Sequence, residues 1–140
     1  MVRSIPARCS RRIAPGGYDI YEAIWNGYQI AGPPVIVKRV DALSSTEDDN
    51  APFVAEHSAD MVFASKRDGG LGGWDLYCAR WDEATGWTAP VALSEANSPS
   101  DEFRPSIADD RRFLIFSSKR PGGAGGFDLY TVKFEGCTAS

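Results

Sequence analysis

Three aspartates, Asp19, Asp75 and Asp128, occupy the same place in a six-residue phrase that the chain repeats. The copies are Gly16-Gly17-Tyr18-Asp19-Ile20-Tyr21, Gly72-Gly73-Trp74-Asp75-Leu76-Tyr77 and Gly125-Gly126-Phe127-Asp128-Leu129-Tyr130. Recurrent carboxylates could bind a cation, and oxygen-rich loops suit calcium. No spacing here matches a calcium-binding hand, however. An aspartate that follows a glycine pair in every copy is better explained as an acceptor for the backbone N–H groups of a tight turn. Asp19, Tyr21, Asp75, Tyr77, Asp128 and Tyr130 are therefore read as structural, with no metal expected.

The second set of candidates is cationic and aromatic. Ser65-Lys66-Arg67 and Ser118-Lys119-Arg120 precede the second and third phrases, and Ser10-Arg11-Arg12 is a shorter counterpart before the first. Arg12, Arg67 and Arg120 could form a basic ring that reads a carboxylated ligand. They could also pair with the recurrent acids of Asp48-Asp49 and Asp101-Glu102 as bridges between repeats. Pairing is the favoured reading, because both partners recur together. Tyr18, Trp74 and Phe127 either plug the junctions between repeats or line a ligand surface. The candidate binding surface is Lys66, Arg67, Trp74, Lys119, Arg120 and Phe127. The runs Gly69-Gly70-Leu71-Gly72-Gly73 and Gly122-Gly123-Ala124-Gly125-Gly126 resemble a phosphate cradle only superficially. Such a loop needs a helix to follow, and here a strand pattern follows.

The pieces for catalysis are not assembled. His57 is the single histidine, which excludes a histidine cluster within one chain. Cys9, Cys78 and Cys137 make an odd count at uninformative spacing, and are read as free thiols rather than a disulfide framework or zinc site. There is no nucleophile elbow and no carboxylate pair standing outside the repeat. Glu47, Glu56 and Glu83 break the repeat, but nothing in the sequence positions them together. No catalytic residue and no cofactor are expected. A net charge of −4 argues against nucleic acid as a partner. No run approaches the roughly 18 apolar residues of a membrane span. Residues 1–12 carry four arginines without an apolar core, which is not a secretory signal as written.

These residues need elements to hold them. Tyr21 to Tyr77 is 56 residues and Tyr77 to Tyr130 is 53, a period that marks a repeat architecture. Met61-Val62-Phe63-Ala64 and Phe113-Leu114-Ile115-Phe116 read as strands buried on both faces. In the first repeat that place falls to Val2–Cys9, a degraded strand. After each glycine pair, Tyr21–Trp25, Tyr77–Trp81 and Tyr130–Phe134 alternate as Tyr, small apolar, aromatic, which is the period of a strand. Trp87–Leu93 and Gly32–Val37 read as edge strands, since their prolines cannot donate to a ladder. A polar connection, 44–50 or 94–102, then leads to short strands at Pro52-Phe53-Val54 and Pro105-Ser106-Ile107. Four antiparallel strands with regular turns describe a propeller blade. No segment shows helical periodicity.

The whole pattern, Pro-x-Ile/Val, an acidic turn, Phe-x-Ser-x-Arg, Gly-Gly-x-Gly-Gly-x-Asp-Leu-Tyr, Trp-x-x-Pro and Asp-Glu, resembles the WD-like β-propeller repeat of TolB-type proteins. The likeness spans about residues 10–134. It implies one all-β propeller-repeat domain over 1–140, with a partial blade 10–43, a complete blade 52–93 and a partial blade 105–134. Two to three blades cannot close a ring, and open blade faces leave apolar surface in water. Self-assembly into a homodimer or larger ring is expected, unless the chain is a piece of a longer protein. The implied function is a non-enzymatic binding module that docks a protein or envelope component. The alternatives are a propeller glycan hydrolase or lyase with a site shared between subunits, and an architectural fragment with no selected ligand. The resemblance points to the bacterial envelope or periplasm, although the N-terminus offers no route there.

Overall fold

The computed structural model describes residues 8–12, 17–24, 36–55, 58–108 and 112–137. Every regular element among them is a strand, and every pairing is antiparallel. The first sheet holds β1 (Arg8–Arg12), β2 (Tyr18–Ile24) and β3 (Ile36–Arg39), in that spatial order. The second holds β4 (Asp49–Val54), β5 (Asp60–Ser65) and β6 (Asp75–Asp82), with β7 (Gly86–Trp87) and β8 (Val91–Ala92) both paired to β6. The third holds β9 (Glu102–Ile107), β10 (Phe113–Ser118) and β11 (Asp128–Lys133), with β10 central. The sheets do not close on one another.

The middle sheet buries both faces, and its alternation shows how. Met61, Phe63, Tyr77 and Ala79 point toward the first sheet, where Ile20, Val40 and Leu43 complete one core. Val62, Ala64, Leu76 and Cys78 point the other way, into a core with Ile107, Leu114, Phe116 and Phe134 of the third sheet. Every residue of β5 is buried, which is why its sequence runs apolar without a polar alternate.

Several expected boundaries move. The short inner strands begin at Asp49 and Glu102, within stretches read as polar connections, because these two carboxylates are buried and bonded. Each of these strands carries a bulge holding a non-glycine residue at positive φ, Ala51 and Arg104, both at 51°. The expected strand 87–93 is broken into β7 and β8, since Pro90 lacks an N–H. The ladder resumes where Leu93 N–H donates to Leu76 O (2.9 Å).

In the first repeat the strand lies at Arg8–Arg12, not before it, so Ser10-Arg11-Arg12 is not a turn. Arg11 faces Asp19, as Ser65 faces Asp75, so Arg12 is one place out of register with Arg67. The single glycine pair of this copy makes a shorter connection than the doubled pair of the others.

The cysteines also differ from expectation. Cys78 and Cys137 form a disulfide, with Cα atoms 5.5 Å apart and a sequence separation of 59. After β11 the chain turns back beneath the middle sheet, and Cys137 N–H reaches Asp60 Oδ1 at 3.4 Å. The odd count concealed this pairing, because closure depends on where the tail packs.

Candidate functional site

The register places Gly17-Tyr18-Asp19, the two later Gly-Gly-aromatic-Asp turns and the Ser-Lys-Arg turns at one end of the strands. Asp49, Ser65 and Asp75 are aligned there across the middle sheet, with Asp60 and Arg80 at the far end. At this near end the two Lys-Arg pairs divide into an inner and an outer cation.

The inner cation is the arginine. Arg67 Nη2 donates to Asp49 Oδ1 (2.7 Å) and to Leu43 O (2.6 Å), while Nε donates to Ser65 Oγ (2.8 Å). Its guanidinium lies 5.1 Å from the Phe63 ring and 4.8 Å from the Tyr77 ring. Asp49 also accepts from Ser45 Oγ (2.8 Å). Arg120 repeats the pattern, bonded to Glu102 Oε1 (3.3 Å), Ala96 O and Ser118 Oγ (3.0 Å), over Phe116 and Tyr130. Glu102 is held by Ser98 N–H (2.9 Å), as Asp49 is held by Ser45. Both arginines are thus committed to the interior. They join a turn to the first strand of the same sheet and, through Leu43 O and Ala96 O, to the connector arriving from the preceding sheet. Burial in this sandwich pushes the Tyr77 phenol up from its usual range, reinforced by the nearby Asp75 charge.

The outer cation is the lysine, and around it the candidates come together. Lys66 Nζ sits 3.1 Å from Asp48 Oδ2 and 4.8 Å from the Trp74 ring centre. Lys119 Nζ sits 3.4 Å from Asp101 Oδ2 and 4.7 Å from the Phe127 ring centre. Each of these acids then reaches the preceding sheet. Tyr18 N–H donates to Asp48 Oδ1 (2.9 Å), and Trp74 N–H donates to Asp101 Oδ1 (3.0 Å). The result is a row across the three sheets: Tyr18, Asp48, Lys66, Trp74, Asp101, Lys119, Phe127. Acid, base and aromatic alternate along it, so its charges are locally neutralised.

This row explains the glycines. A Cβ on Gly17 would overlap the Asp48 carboxylate, one on Gly73 would meet Asp101 at 2.6 Å, and one on Gly72 would overlap Ser100 O. Only glycine lets the neighbouring connector come so close. The repeat aspartates fill the next place in the turn. Asp75 Oδ2 accepts from Gly72 N–H (3.0 Å) and Asp128 Oδ2 from Gly125 N–H (3.3 Å), while Asp19 is bonded by Arg39 Nη2 (2.9 Å). Asp48 and Asp101, which clasp the preceding sheet, were missed individually in the sequence. The available signal was the pair Ser44…Asp48 and Asn97…Asp101, each spaced by four.

Trp74 packs edge-on to Phe103 of the third sheet at 4.9 Å, filling a junction. Phe127 has no such cover and is 48% exposed. The side chain of Arg12, together with Glu56 and His57, lies outside the described residues. Glu47 stands beside Asp48 at the near end, whereas Glu83 follows β6 at the far end, so these two are not brought together. The far end carries a cleft of about 770 Å³ lined by Asp60, Arg80, Arg112, Phe113, Lys133 and Glu135. Within it Arg80 lies 3.9 Å from Asp60 and Lys133 lies 2.5 Å from Glu135. Among the described residues no group of three or more His, Cys, Asp or Glu is arranged to hold a metal, and no helix is long and apolar enough to cross a membrane.

Compared with known proteins, the chain matches no family model and no curated protein.

Proposed function

We propose that this protein is a non-enzymatic interaction module, built from incomplete propeller-type blades of the TolB-like kind and completed by assembly with another copy of itself. The observation that carries this reading is a position that recurs in all three sheets. Ile20 and Leu76 are 0% exposed beneath the following sheet, whereas Leu129 is 77% exposed. A repeat whose third copy leaves bare what the first two bury is suited to protein–protein contact. The near-end row supports binding over turnover, since its carboxylates, Asp48 and Asp101, are occupied by lysines and backbone N–H groups. The Cys78–Cys137 disulfide fits an oxidising compartment, in keeping with the envelope location that the resemblance implies.

The test is absolute mass by light scattering after size exclusion at tens of micromolar. A discrete dimer, about twice 15.2 kDa, is expected. A monodisperse monomer across that range overturns the self-assembly reading.

A further inference from the structure

We propose that the outer edge and outer face of the third sheet form a docking slot for one kind of segment. That segment is an extended stretch of a second polypeptide, bearing Ser or Asn four residues before an aspartate. The proposal rests on the interaction-module reading and names the chemistry of the partner.

The chain fills this slot twice within itself. At the first junction Asp48 accepts from Tyr18 N–H (2.9 Å), Ser44 Oγ accepts from Ile20 N–H (3.2 Å) and Val40 N–H donates to Ile20 O (2.8 Å). At the second junction Asp101 accepts from Trp74 N–H (3.0 Å) and Asn97 Oδ1 accepts from Leu76 N–H (2.6 Å). Asn97 Nδ2 and Leu93 N–H both donate to Leu76 O, at 3.0 and 2.9 Å. One short segment thus caps two successive outward N–H groups of the strand entry with side-chain oxygens. It also returns a donor to the carbonyl of the second of these residues, the hydrogen-bonding logic of strand addition to an edge.

The third sheet carries the same receiving set: Gly125, Gly126, the backbone of Phe127 and Leu129, and the Leu129 side chain. A Cβ added to Gly125 or Gly126 meets nothing within 4 Å, where Gly72 and Gly73 are closed over by the connector. Lys119 stands above Phe127 and is paired with Asp101, as Lys66 stands above Trp74 and is paired with Asp48, so the aromatic turn is held the same way in both sheets. Ile115, Leu129 and Thr131 form the outer face, where their counterparts Val62, Leu76 and Cys78 are buried. A free strand edge beside an apolar face is what a second chain pairs with.

The probe is a synthetic peptide of residues 88–103, the chain's own connector, titrated to millimolar concentration. Amide hydrogen exchange at Phe127 and Leu129 is followed by NMR. The peptide should slow both amides, and a peptide with Asp101→Asn should bind at least tenfold more weakly. Gly126→Val should abolish the protection while leaving the thermal midpoint unchanged, because its side chain enters open space in the free protein. If a second copy already fills the slot, both amides are slow without peptide and Gly126→Val must release them. Fast amides throughout, or protection that survives Gly126→Val, overturn the slot. A dimer with fast amides removes the slot and keeps self-assembly. A monomer whose amides the peptide protects keeps the slot and removes self-assembly.

Discussion

Arg67 and Lys66 are adjacent cations whose substitution should differ several-fold in cost. Asp49 is fully buried and Arg67 keeps only 17% of its side chain exposed. Arg67→Met preserves the aliphatic stem over Phe63 and Tyr77 but strips the Asp49 carboxylate of its counter-charge. Leaving such a charge unpaired in the interior costs about 3–5 kcal/mol. The hydrogen bond to Leu43 O, charge-assisted at 2.6 Å, is lost as well. Lys66 and Asp48 keep 42% and 26% of their side chains exposed, so Lys66→Met should cost no more than about 1 kcal/mol. For a chain of 140 residues the total stability is about 7–20 kcal/mol at the usual value per residue. The arginine change therefore removes a large fraction, equivalent to a midpoint about 10 °C lower. Urea unfolding of wild type, Arg67→Met, Asp49→Asn and the double variant gives a cycle, with about 2 kcal/mol of coupling expected. An Arg67→Met cost below about 1 kcal/mol, or one equal to that of Lys66→Met, would refute the argument that the inner cation holds the sheet together.

Two further outcomes follow from the same geometry. Cys137→Ser opens a loop whose ends are 59 residues apart, and chain entropy alone sets the loss at about 4 kcal/mol; the unfolded oxidised wild type should show no more than one titratable thiol, and three would remove the disulfide. Tyr77 has its phenol raised by burial, so the stability it contributes is fully present below the unfolded value near 10 and is lost as pH rises past it. Tyr77→Phe should then flatten the fall in thermal midpoint above pH 10, and an unchanged alkaline slope would count against burial as the cause.

Much of the strand pattern could be read from the chain because each strand's period is written in its own residues. Met61–Ala64 announces a doubly buried strand, and Tyr77, Ala79 and Trp81 announce one face. What could not be read are features that depend on a neighbour. Asp49 and Glu102 look like loop acids until Arg67 and Arg120 arrive from 18 residues away to neutralise them and draw them into strands. Cys137 looks like a stray thiol until the tail folds back under the middle sheet. Ser10-Arg11-Arg12 looks like the partner of Ser65-Lys66-Arg67, but in the first copy Arg11, not Ser10, faces the repeat aspartate, so the match is out by one residue.

The phrase that organises the sequence shows the same limit most sharply. Leu76 and Leu129 have the same neighbours in sequence, Asp before and Tyr after, yet one is fully buried and the other is 77% exposed. Nothing local distinguishes them; the difference lies in whether a connector with its aspartate follows in space. Gly72 and Gly73 are required by that connector, whereas Gly125 and Gly126 meet no contact that requires them in the chain as folded alone. The bare strand edge and exposed leucine beside them are what the proposed segment would cover, and the spacing of Asn97 and Asp101 describes its chemistry.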